Sequence, residues 1–139
     1  MTKPKAQSEY KVTQAQLLLG IHLDELGIRF QREFKFCERD WRIDLMLLDY
    51  RIGIEISGGN WTGGHRRGKA QEDEYDKLNR AAMEGWRVLQ YTNAQVLEGQ
   101  AQADIAIWLG MVTDDFFVVR PDGSKVRPVD VGVGLKARG

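Results

Sequence analysis

A chain of 139 residues, 42% apolar and 29% charged, is long enough for one domain burying roughly two thirds of its unfolded surface and too short for a second full domain. Its 20 basic and 20 acidic residues cancel, so any attraction for a polyanion has to be local. No run approaches the ~20 apolar residues of a membrane helix, the polar start MTKPKAQSEYK lacks the apolar stretch of a secretory signal, and the single cysteine, Cys37, has no disulfide partner, so a reducing cytoplasm without membrane attachment is expected.

Leu17, Leu18, Ile21 and Leu26, followed by Gly27, predict an amphipathic helix over about 13–26 with a glycine stop. Alternating aromatic and aliphatic residues then predict strands at about 29–37, 41–48 and 51–57. Tyr75, Leu78 and Ala82 recur at helical spacing and form the apolar side of a helix over about 70–84, which Gly85 ends. Trp86–Tyr91 alternates as a strand, and Thr92 with Gln95 three residues later forms a capping box that opens a helix through about Leu109. Residues 111–139 change character, with more Gly, Val and Pro and no period. They are expected as an extension to a domain over 1–110: a short hairpin around Pro121-Asp-Gly123, a partner-binding arm, or a partly disordered tail. The order of elements is α/β.

The strands at 41–48 and 51–57 are so close in sequence that they must form an antiparallel hairpin. A two-residue turn at Asp49-Tyr50 pairs 46 with 53 and 44 with 55, a four-residue turn keeps that pairing, and an odd-length loop breaks it. Ile52, Ile54 and Ile56 then share one face, and Gly53, Glu55 and Ser57 the other. This register sets Asp44 opposite Glu55, with Cβ atoms ~4.5–5.5 Å apart, where two carboxylates repel by up to about 1 kcal/mol. Two compensations are open: Arg42 or Arg51 neutralises the pair, or a hard divalent cation such as Mg²⁺ takes both carboxylates as ligands.

The order of these residues resembles the PD-(D/E)XK nuclease superfamily, which has the restriction-endonuclease-like fold: a leading helix, a strand, Asp44 in the next strand, Glu55 in the one after, a helix, a strand and another helix. Within it, Trp41–Thr92 is similar to small domains related to very-short-patch-repair endonucleases, through Gly58-Gly-Asn-Trp61 with His65, Lys77-Leu-Asn79 and Gly85-Trp-Arg-Val-Leu89. The resemblance spans about residues 8–110 and implies a three-layer fold, a mixed central sheet of four to five strands flanked by helices. It also implies a Mg²⁺-dependent DNA endonuclease, with Mn²⁺ as a substitute, in which Asp44, Glu55 and the Ile56 carbonyl hold the metal. Cleavage would leave 5′-phosphate and 3′-hydroxyl ends.

Two positions depart from the family pattern. Ser57 stands where a lysine is usual, and Gln16 or Gln14 where the first helix often carries an acid. Glu74, Lys77 and Ala81 fall on one helical stripe, so Lys77 can supply the missing ammonium if that stripe faces the acids; otherwise it pairs with Asp73 or Glu74 on the surface. The glycine-rich loop 58–69 carries His65, Arg66, Arg67 and Lys69, the densest basic segment of the chain. The arginines and Lys69 suit phosphodiester contacts, His65 suits proton transfer or a phosphate contact, and Trp61 either meets a base or anchors the loop. Glu33 either joins the pair as an outer acid or is a strand-surface residue. With little surface left for reading bases, nicked, mismatched or branched DNA is the expected substrate, and resolving a junction would require a homodimer. Two other classes compete: a catalytically degenerate DNA-binding module of the same fold, and an assembly protein with no affinity for DNA.

Overall fold

The computed structural model describes residues 12–57 and 67–134. Helix α1 (Gln14–Leu26) starts at Thr13, whose hydroxyl accepts the Gln16 N–H, and ends at Gly27 with φ 79°. That left-handed conformation favours a residue without a Cβ. Three strands follow, β1 (Gln31–Lys35), β2 (Arg42–Leu47) and β3 (Ile52–Ser57), then helix α2 (Arg67–Met83) and strand β4 (Arg87–Thr92). Sheet order is β1-β2-β3-β4, antiparallel at the first two junctions and parallel at the third. A parallel pair requires a crossover, which α2 supplies.

The β2–β3 register pairs Leu45 with Ile54, Met46 with Gly53 and Leu47 with Ile52. The turn is four residues long, 48–51, so the two-residue turn at Asp49-Tyr50 is corrected while the pairing is kept. One face of the sheet packs Ile52, Ile54, Ile56, Leu45 and Leu47 against Leu19, Leu23 and Leu26 of α1. The other packs Met46, Ile43 and Trp86 against Ala81 of α2. Gly53 lies on this second face, where a Cβ would come within 2.9 Å of Ile43 Cγ2, so the strand interior carries glycine for lack of room. The result is three layers, a mixed four-stranded sheet between helices.

Two expectations about helices need correction. The expected apolar side of α2 is not the packed one: Tyr75 is 55% exposed and Ala82 is exposed, while Ala81 is fully buried and Lys77 nearly so. The helix turns the Glu74–Lys77–Ala81 stripe inward, rotated from the side that hydrophobicity alone selects. The expected helix from Thr92 to Leu109 is two helices, α3 (Asn93–Leu97), opened by the capping box at Thr92 and Gln95, and α4 (Gln100–Trp108). Gly99 separates them with φ 84°, and its Cα packs so closely on the Gly132 carbonyl and Gly134 that a Cβ would overlap them.

Beyond α4, Val118–Val119 (β5) and Lys125–Val126 (β6) form an antiparallel pair, followed by a 3₁₀ turn at Pro128–Val131. Val118, Val131 and Val133 are buried in the same core as α1 and α4. Among the described residues no helix is long and apolar enough to cross a membrane.

Candidate active site

Asp44 and Glu55 meet on the α2 side of the sheet, at the end of the β2–β3 ladder. Their carboxylates do not simply face each other; each takes a backbone N–H from the partner strand. Asp44 Oδ2 accepts the Ile56 N–H at 2.8 Å, and Glu55 Oε1 accepts the Asp44 N–H at 3.1 Å. This reciprocal bonding fixes both rotamers and leaves lone pairs over for other partners.

Lys77 completes the cluster. Its Nζ donates to Glu55 Oε2 at 2.5 Å, with both side chains nearly buried at 13% and 14% exposure. Of the two sequence-derived options for Lys77, the structure shows the inward one. The arginines offered as neutralising partners are engaged elsewhere: Arg42 pairs with Asp40 at 3.2 Å, and Arg51 donates to the Glu84 and Gly85 carbonyls while stacking on Trp86.

The cluster lines an open cleft of about 680 Å³ between α2 and the carboxyl end of β3. Asp44, Glu55 and Glu74 set three carboxylates against the single ammonium of Lys77. Burial is the main reason the Glu55 carboxyl is pushed up to about 7; the Asp44 charge adds to it and Lys77 opposes it. Asp44 is raised by burial as well, opposed by the Ile56 N–H, Lys77 and a hydrogen bond from Gln16. Glu33, half-buried on β1 with φ 49°, is raised by burial and by the Asp44 charge. An αL conformation in the middle of a strand is strained for a residue with a Cβ, and the β1–β2 bridges skip the Glu33 position.

Trp61, His65 and Arg66 lie outside the described residues, as does the side chain of Arg67, which opens α2. Lys69 is exposed and pairs with Asp73 at 3.6 Å. Two residues at the cleft were not singled out as site residues from sequence: Glu74 shares the stripe of Lys77, and Gln90 is the β4 register partner of Glu55. The stripe was readable in advance, whereas the Gln90 position requires knowing that β3 and β4 are parallel.

Two largely buried carboxylates that share a single ammonium, with a backbone carbonyl beside them, fit a hard cation that keeps most of its waters, as Mg²⁺ does. Among the described residues no third His, Cys, Asp or Glu joins them as a ligand group. Such a donor set leaves coordination positions for water and phosphate oxygens.

The fold is similar to a solved structure, the catalytic domain of the homing endonuclease I-Bth0305I, with a TM-score of 0.52 and 19% identity over 73% of this chain and 99% of that one. At this identity the likeness speaks for the fold, that of a nuclease catalytic domain. No protein-family model and no curated protein matches the chain.

Proposed function

We propose that this chain is a metal-dependent DNA endonuclease of the PD-(D/E)XK type, allied to the very-short-patch-repair endonucleases, and that Asp44, Glu55 and Lys77 carry its chemistry. The observation that supports this most is the meeting, in one cleft, of two N–H-braced carboxylates and a nearly buried lysine from a separate helix. An excess of acid lining a cleft would repel a phosphodiester unless a cation stood between them, and the acids here suit that cation. Asp44, Glu55 and the Ile56 carbonyl would hold Mg²⁺, or Mn²⁺ in its place. When bound, the ion supplies Lewis acidity at the scissile phosphate and makes water a better nucleophile at neutral pH.

The chain's own groups do the rest. The backbone N–H groups of Ile56 and Asp44 keep the carboxylates in one orientation. Lys77 steadies Glu55 and sets a positive charge where negative charge grows on the phosphate oxygens. His65, from the loop between β3 and α2, gives or takes a proton, and Arg66, Arg67, Lys69 and Trp61 grip the flanking backbone and bases. Hydrolysis leaves a 5′-phosphate and a 3′-hydroxyl. Substrates marked by shape, namely nicked, mismatched or branched DNA, are the ones this reading takes, with a homodimer needed for junctions. The free thiol of Cys37 suits a cytoplasmic setting.

The test is incubation of supercoiled plasmid and of a labelled four-way junction with Mg²⁺, Mn²⁺ or EDTA. Nicking in either metal and none in EDTA is expected. DNA binding without hydrolysis of either substrate in either metal would overturn the nuclease reading in favour of a DNA-holding module.

A further inference from the structure

The side of α2 marked by Tyr75, Leu78 and Ala82 stays out of both cores and forms one wall of a trough whose other wall is β4. β4 is the outer strand of its sheet, so its far edge carries backbone N–H and C=O groups that no strand among the described residues pairs with. The trough has two recesses. The first is the cleft that holds the acids; the second, of about 490 Å³, lies further along α2 and is walled by Leu78, Ala82, Trp86 and Val88, with Arg87 and Gln90 as its polar side chains. Leu78 and Gln90 line both recesses, and Gln90 is the register partner of Glu55, so the second recess begins beside the acids. Val88 lies two residues back along β4 from Gln90, ~6.6 Å away, within reach of a nucleoside attached to a phosphate held at the acids. The Trp86 ring is a fixed wall, with the Arg51 guanidinium 3.9 Å over it and Phe34 edge-on at 5.1 Å.

We propose that this second recess binds a nucleobase, unstacked from its neighbours, of a nucleotide next to the scissile phosphate. The proposal rests on the nuclease reading above. Apolar walls with a few polar groups suit a flat heteroaromatic ring, whose faces lie on carbon and whose edge meets donors and acceptors. The Gln90 amide offers one of each, and the open edge of β4 offers more. A phosphodiester seated on Asp44 and Glu55 brings its nucleosides with it, and the apolar recess joined to those acids is where one base can go. A base still paired and stacked does not fit between a helix and a strand, so the recess selects nucleotides that leave the stack at low cost. A second copy of the chain laid along the trough would cover the rim at Leu78 and Gln90 and shut the acids away from DNA, so the continuity of the two recesses favours DNA as the occupant.

The experiment compares wild type with Ala82→Trp, which fills the recess from an exposed position, and with Met83→Trp, which sets the same ring on the next residue of α2, outside the lining. Fluorescence anisotropy in EDTA measures the affinity of each for a labelled short oligodeoxythymidylate and for an abasic chain of the same length. Sedimentation velocity gives the oligomeric state, and thermal melts the fold. Wild type and Met83→Trp should bind the oligonucleotide roughly 10-fold more tightly than the abasic chain, and Ala82→Trp should bind the two about equally. Affinity for the abasic chain, oligomeric state and melting temperature should be the same in all three. If the added ring lowers the melting temperature, Gln90→Ala decides instead, and should cut the preference for bases severalfold. A wild type without that preference, or a preference that survives in the folded variants, would overturn the proposal, as would a wild-type dimer that Ala82→Trp breaks, which would give the trough to a second copy. Plasmid nicking in Mg²⁺ is read separately: nicking without a preference for bases overturns this proposal alone, whereas no nicking overturns the nuclease reading.

Discussion

Replacing Glu55 with glutamine should stabilise the metal-free protein at alkaline pH while removing its activity. The folded-state carboxyl sits at about 7 against an ordinary 4.5, chiefly through burial, so between those values the folded chain holds a proton that the unfolded chain releases. The stability this provides is fully present below about pH 4.5 and is lost as pH rises through about 7. At ~1.4 kcal/mol per pH unit the span is at most about 3.5 kcal/mol, reduced where Asp44 shares the proton. Glutamine keeps the shape and the acceptor toward the Asp44 N–H but carries no charge to desolvate, and it gives up the ion pair with Lys77. The gap in stability, Glu55→Gln minus wild type, should therefore widen by about 2–3 kcal/mol from pH 4.5 to 8, or roughly 5–10 °C in melting temperature for a chain of this size. Calorimetry in EDTA across that range reads it directly. A gap that stays constant with pH, or one that falls as pH rises as it would for an ordinary ion-pair partner with a lowered pKa, would refute the reasoning.

Divalent cation should stabilise the wild-type chain at pH 8, by about 1.4 kcal/mol for each tenfold excess over its dissociation constant, and barely at pH 5, where protons occupy the carboxylates; thermal melts with and without Mg²⁺ at the two pH values check this. Lys77→Met should lower kcat by roughly 100-fold while anisotropy shows DNA affinity within about threefold of wild type, since the ammonium acts on developing charge. Gly99→Ala should destabilise by about 2 kcal/mol or more in denaturant titrations, because φ is 84° and a Cβ would press on the Gly132 carbonyl and the Gly134 backbone.

The β2–β3 hairpin was legible because three isoleucines at period two fix which face is buried, and a turn of two residues or four then sets Asp44 opposite Glu55. The capping box at Thr92 was equally plain, since a cap is a local device. The apolar positions of α2 do not select its buried face, because the helix turns a lysine inward to meet Glu55, a choice made by the site and not by hydrophobicity. The break at Gly99 depends on a backbone approach from Gly132 and Gly134, more than 30 residues on, which no local window contains. The tail shows no period because single valines, Val118, Val131 and Val133, reach the core from a two-residue strand, a 3₁₀ turn and the residues just after it rather than from one face of a long element.

The central claim is that the Asp44–Glu55 pair hydrolyses phosphodiester bonds with a bound cation. The most direct measurement is the single-turnover rate of supercoiled plasmid nicking in Mg²⁺ by wild type and by Asp44→Asn, with DNA affinity measured in parallel in EDTA. Asparagine keeps an oxygen for the Ile56 N–H and removes the charge. A rate about a thousandfold lower, roughly 4 kcal/mol of barrier, at unchanged DNA affinity is the predicted result. Nicking by Asp44→Asn at the wild-type rate would contradict the account and place the chemistry elsewhere on the chain.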